Sequence, residues 1–205
     1  MSLVNAYTTL NNVKTALRIP LADTVDDLML TSAINAASRQ IDGECDRVFY
    51  GGTATRVYVP ESSVLCNIDD ATAVTKVETS SGDGFNIEIP ATDYQLEPLN
   101  GVAGGIPGPF TRIRATGAYL FPVFSTRSVN LDEATVRITG TFGFTPVPDA
   151  IEQACLLLSI RIFKRLDSPL AVAGFGDLGV VRVERTDPDV AAMLSPYVRG
   201  SKGVG

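Results

Sequence analysis

DTVDDLMLTSAINAASRQIDGECDRVF, residues 23–49, sets the architecture. Thr24 to Asp27 has the form of a capping box, in which a side-chain oxygen and a carboxylate three residues on satisfy orphan backbone N–H groups, so the spacing predicts a helix opening at Thr24. Apolar residues then recur every three or four positions, at Leu30, Ile34, Ala37, Ile41, Cys45 and Val48, tracking one face of a helix. Asn35, Arg39, Asp42 and Asp46 lie off that stripe. At roughly 1.5–3 kcal/mol per fully buried large aliphatic side chain, the stripe stabilises only if a partner covers it. The sequence supplies that partner at Pro148 to Leu166.

That second helix opens at Pro146-Val147-Pro148-Asp149, with Pro148 suited to a first turn. Ile151, Ala154, Cys155, Leu158, Ile162 and Phe163 mark its inner face. Leu156, Leu157 and Ile160 widen the apolar surface, so more than one neighbour should cover it. Arg161, Lys164 and Arg165 gather near its C-terminus, where the helix dipole favours cations. Upstream, Thr8 or Thr9 caps a short helix with Leu10, Val13, Ala16 and Leu17 on one face and Pro20 ending it.

Between the helical segments the period changes to two. Thr55, Val57 and Val59 alternate with Arg56 and Tyr58, and further strands are expected at Val64 to Ile68, Ala73 to Thr79, Phe85 to Ile89, Tyr94 to Leu96, Thr111 to Ala115 and Thr135 to Phe144. Ser80 to Gly84 reads as a hairpin loop and Asp69-Asp70 as turn chemistry. Pro98 to Pro109, rich in glycine and proline, reads as a long irregular loop. The apolar run Tyr119 to Phe124 has two readings, core beneath the β region or an exposed lip for a partner. The expected fold is α+β: a helical bundle formed by N- and C-terminal segments with an inserted antiparallel β domain. Its divisions are 1–50 and 146–169 for the helical platform, 51–145 for the β domain and 170–205 for an extended C-terminal arm. In that arm Val180 to Arg185 reads as a short strand, Pro188 to Leu194 as a short helix capped by Asp187, and Gly200 to Gly205 as disordered.

The 205 residues contain no histidine, which removes Ser/His/Asp and Cys/His catalysis and His-ligated zinc. The three cysteines, Cys45, Cys66 and Cys155, read as buried reduced thiols. No apolar run reaches membrane-spanning length, and the N-terminus lacks the regions of a signal peptide. The net charge of −6 comes from residues 1–145, since acids and bases balance in 146–205. Such a body suits a surface past which DNA slides without sequence-specific binding. Gly174 to Gly179 matches G-x-G-x-x-G, but a helix precedes it and a strand-like run follows, the reverse of a dinucleotide site, so it reads as a hinge. Asp42, Glu44 and Asp46 read as a solvated helix end rather than a metal cluster. Catalytic, metal and cofactor residues are not expected, and the chain reads as a non-enzymatic assembly or binding module.

Several segments together carry a resemblance. They are Tyr7 with Leu10, Val13 and Leu17; Asp27 and Leu28 leading to Ala36 through Asp42 and Cys45 through Phe49; Ile138 through Gly143; Val147-Pro148; Ile151 through Ala154; and Asp187 through Leu194. In these the chain resembles the head-to-tail connector (adaptor) proteins of long-tailed bacteriophages and gene-transfer particles, over both ends and roughly half of its length. The resemblance implies a structural virion protein at the head–tail junction, assembled in the host cytoplasm. It implies self-association into a ring, a dodecamer, beneath a portal protein, with a stopper or tail protein on the other side. It also places subunit or portal contacts on the arm, at Phe175, Arg182, Arg185 and Tyr197. The competing reading is a ligand- or glycan-binding β module around Pro98 to Phe124. A nucleotide-dependent enzyme using the glycine run is a third.

Overall fold

The computed structural model describes residues 2–80, 84–103, 106–123, 134–166 and 187–199. The glycine run and the strand expected at 180–185 lie outside them. The chain forms two compact units, one from residues 1–50 with 147–205 and one from 51–146. Among the described residues it is a mixed α+β fold with four α-helices and a six-stranded antiparallel sheet.

In the first unit, α1 spans Leu10–Leu17, α2 Asp27–Cys45, α3 Asp149–Leu166 and α4 Pro188–Leu194. Thr9 caps α1, its hydroxyl accepting from the Asn12 N–H at 3.1 Å, and Asp187 caps α4. Helix α2 starts later than the capping box implied. Asp23 instead accepts the Val25 N–H at 3.1 Å, so Thr24 to Asp26 form a turn and no side chain caps the helix. Leu30, Ile34, Ala37, Ile41 and Cys45 are fully buried as their spacing required. Val48 is exposed, because Asp46 enters the left-handed region and ends the helix before it, and Phe49 is buried in its stead. Helix α3 packs on α1, α2 and α4, which accounts for its broad apolar surface. Leu156, Ile160 and Phe163 close over Val13, Leu30 and Ile34. Ala16 on α1 faces solvent.

The second unit holds β1 (Gly52–Tyr58), β2 (Leu65–Ser80), β3 (Phe85–Glu88), β4 (Tyr94–Glu97), β5 (Val102–Ala103), β6 (Ile106–Pro107), β7 (Phe110–Ala115) and β8 (Val136–Phe142). The sheet order is β1-β8-β2-β7-β4, with β3 also on β2. First and last strands pair, Gly52 opposite Phe142, so the unit begins and ends at one place. Gly51 allows this closure, since a Cβ there would collide with the Thr145 hydroxyl. Gly140 does the same inside the sheet, where a Cβ would strike the Ala73 carbonyl.

Three strand expectations change. Val64–Ile68 and Ala73–Thr79 are one continuous strand, β2; its register shifts absorb Asp69-Asp70, which is not a turn. In β1, Ala54 and Tyr58 pack on the core, whereas Val57, and Val59 just beyond the strand, are exposed. The segment 98–109 is not wholly irregular, since β5 and β6 pair within it and the Gly108 N–H donates to the Gly101 carbonyl at 2.8 Å.

Two carboxylates tie neighbouring strands. Glu78 accepts from Arg137 at 2.7 and 2.8 Å and from Lys76 at 2.8 Å, which holds its carboxyl down at about 2. Glu97, bonded to Arg114 at 2.6 Å, is likewise held low. A depressed folded-state value stabilises above the unfolded pKa and is lost as pH falls through the folded one. Sheet stability should therefore decline between about pH 4.5 and pH 2. In Glu78→Gln, urea melts should show a loss of about 1–2 kcal/mol at neutral pH and a flatter acid limb.

Candidate functional site

The described end of the C-terminal segment sits on the end of α2. Tyr197 meets Phe49 edge-on at 5.8 Å between ring centres, and the Arg199 N–H donates to the Cys45 carbonyl at 2.9 Å. Phe49 in turn meets the Tyr7 ring at 5.7 Å. Phe175, Arg182 and Arg185 lie outside the described residues. Of the residues chosen from sequence, Tyr197 alone is therefore placed, half-buried.

Tyr7 is the pivot of this cluster. Its hydroxyl donates to Asp42 and accepts the Phe49 N–H at 2.9 Å. Arg39 pairs with Asp42 at 3.2 Å and lies over the rings of Tyr7 and Tyr50 at 5.8 and 5.5 Å. Burial raises both the Tyr7 and the Asp42 pKa. Asp42 is thus a structural acceptor rather than part of a solvated helix end, while Glu44 and Asp46 are exposed as expected. Tyr7→Phe removes both the donor to the Asp42 carboxylate and the acceptor of the Phe49 N–H, and urea denaturation should register about 2 kcal/mol of destabilisation.

One edge of α2 also holds the N-terminal segment. Asn35 accepts the Val4 N–H and donates to the Ser2 carbonyl, both at 3.0 Å, Ser38 Oγ accepts the Tyr7 N–H at 3.2 Å, and Arg39 donates to the Asn5 carbonyl at 2.8 Å. Two of the polar residues lying off the apolar stripe, Asn35 and Arg39, thus bind backbone.

A second feature went unseen in the sequence. Lys14 is only 2% exposed. Its ammonium pairs with Asp27 and donates to the carbonyls of Asp23 at 2.6 Å and Leu21 at 3.4 Å. With the Asp23 N–H on the Pro20 carbonyl at 3.0 Å, the connection from α1 to α2 is fastened from beneath. Above it stand Leu21, Val25, Leu28 and Met29, all exposed, Val25 at 86%. The buried cation thus holds a connection that carries two of these exposed side chains, Leu21 and Val25, while Leu28 and Met29 belong to the first turn of α2.

A third feature is a cleft of about 80 Å3 among α2, α3 and α4. Leu158, Ile162, Val190 and Leu194 give it an apolar lining, and Arg161 and Arg165 contribute cations. Glu44 and Asp187 also border it.

In the sheet unit the run Tyr119 to Phe124, whose last residue lies outside the described residues, divides. Phe121 is buried, its N–H on the Ser63 carbonyl at 2.8 Å, whereas Leu120 and Val123 are exposed. All three cysteines are buried and unpaired with one another; burial pushes Cys45 up to about 11 and Cys66 to about 12, so both are thiols at neutral pH. Among the described residues no three Cys, Asp or Glu side chains are grouped to hold a metal, and no helix is long and apolar enough to cross a membrane.

The fold recurs in gene transfer agent particles. A chain in the neck of an empty gene transfer agent (GTA) particle, computed with C6 symmetry, superposes with a TM-score of 0.57 at 19% identity, over 96% of this chain and 92% of the other. A chain in the virion of a native gene transfer agent particle gives 0.54 at 18% identity over the same shares. No protein-family model matches the sequence, and no curated protein matches it.

Proposed function

We propose that this chain is a structural virion protein of the head–tail junction, a connector (adaptor) that forms a ring beneath the portal and receives the stopper or tail. The observation that carries this reading is fold similarity over nearly the whole of both chains to a component of a particle neck. The sequence resemblance to connector proteins points the same way and lies in residues rather than in backbone shape. The neighbouring neck was computed with C6 symmetry, with which a ring of twelve is compatible. In this reading residues 1–50 and 146–169 form a helical bundle in the ring wall, 51–145 is the inserted β domain, and 170–205 is the arm that reaches portal or neighbour through Phe175, Arg182, Arg185 and Tyr197. Its role is contact rather than catalysis, and the acidic excess lets DNA pass without being held.

The test is to mix the full-length chain with its particle's purified portal and image the product by electron microscopy. A ring added beneath the portal supports the reading. Deleting residues 170–205 should abolish portal binding; intact binding and particle joining by that truncated chain would remove the arm from the mechanism. Absence of any ring with the intact chain, or a glycan bound by the sheet unit instead, would remove the connector reading itself.

A further inference from the structure

We infer that the last turn of α2, with Phe49 just beyond it, is a joint that couples the two ends of the chain, so that residues 2–7 and residues 197–199 are held and released together. The inference stands without the connector reading, since every contact it uses lies within the helical unit. Residues 2–7 cross one edge of α2 and are fastened by side chains rather than by a backbone ladder: Asn35 takes Val4 and Ser2, Arg39 takes Asn5 and Ser38 takes Tyr7. The bonds from Asn35 and Arg39 are open to solvent, so this segment opens more easily than the helices unless its inner end is fixed. Tyr7 is that inner end.

The joint fixes Tyr7 from one side and the C-terminal segment from the other. The Tyr7 hydroxyl bridges the Asp42 carboxylate and the Phe49 N–H, and its ring stands edge-on to Phe49. Across the same Phe49 ring stands Tyr197, and the Arg199 N–H takes the Cys45 carbonyl, one of the last-turn acceptors that a helix leaves unsatisfied. Edge-on contacts depend on the orientation of both rings, so a Phe49 ring released by Tyr197 no longer offers Tyr7 a fixed partner. Asp42 is shared as well. Its carboxylate holds Tyr7 and Arg39, while its carbonyl accepts the Asp46 and Arg47 N–H groups that turn the chain toward Phe49. The element has two states, both ends docked or both loose, and whatever factor the release of one end adds to the opening of the other is returned in the reverse direction. A partner that takes up residues 197–199 therefore also loosens residues 2–7.

The test is amide hydrogen exchange on the full-length chain, read residue by residue. In Tyr197→Ala the Tyr7 N–H, held on Ser38, should exchange at least about threefold faster. In Tyr7→Phe the Arg199 N–H should speed up by at least about the same factor. Ser195→Ala, which loses an exposed bond to the Ala192 carbonyl, should leave the Tyr7 N–H at its wild-type rate. In the double variant Tyr7→Phe, Tyr197→Ala the acceleration at Arg199 should fall short of the product of the two single effects, because either change alone already opens the joint. A Tyr7 N–H unmoved by Tyr197→Ala, an Arg199 N–H unmoved by Tyr7→Phe, a response to Ser195→Ala as large as that to Tyr197→Ala, or a multiplicative double variant would each overturn the inference. The connector reading would be untouched by any of these results, and failure to form a ring would leave the coupling standing.

Discussion

Phe49→Ala should cost about 3–5 kcal/mol, because the ring is fully buried and its loss leaves a cavity that its neighbours fill only in part. Two contacts go with it, the edge-on rings of Tyr7 and Tyr197. Thermal melting should fall by about 10 °C for a chain of this size. The effect should also be local in a recognisable way. The Arg199 N–H, held on the Cys45 carbonyl beside this ring, should lose hydrogen-exchange protection before the helices do. Tyr197→Ala, at a half-buried ring, should cost only about 1–2 kcal/mol. If the two substitutions proved equally costly, Phe49 would not be the anchor of the C-terminal segment.

Lys14→Met should be nearly as damaging, at about 3 kcal/mol. Methionine fills a similar space, but the carboxylate of Asp27 and the carbonyls of Asp23 and Leu21 lose their cation. Asp27 retains partial access to water, which keeps the loss toward the lower end of the range for a broken buried pair. Urea denaturation measures the cost, and limited proteolysis across residues 21–27 measures release of the connection between α1 and α2. Adding Asp27→Asn should recover part of the loss, since the two groups act as a unit. A melt unchanged from the wild type would mean that the connection holds itself in place without the Lys14 ammonium.

The legible parts of this chain were those in which periodicity and burial agree. Leu30, Ile34, Ala37, Ile41 and Cys45 lie on one side of a helix and are all fully buried. Ile151, Ala154, Cys155 and Leu158 do the same on α3. Asp187 caps α4 as its position before Pro188 implies. The failures share a cause as well. Alternation at Val57 and Val59 marks a strand but not its covered face, because a strand faces inward by the side that its neighbours can cover, here Ala54 and Tyr58. Asp69-Asp70 looked like a turn because aspartates favour turns, yet register shifts let β2 run through them.

The polar groups of the candidate site were the least readable. Lys14 appears in sequence as one more polar position on a short helix, and its burial depends on carbonyls seven and nine residues further along. Tyr7 and Asp42, and Phe49 and Tyr197, are partners across long separations that no local pattern encodes. The sequence by itself determined where the helices and most strands form, because hydrophobic spacing acts within a few residues. Only the tertiary structure decided which face of β1 is covered, which polar groups are buried and which apolar ones stand exposed between α1 and α2. Those outcomes depend on what the rest of the chain brings alongside.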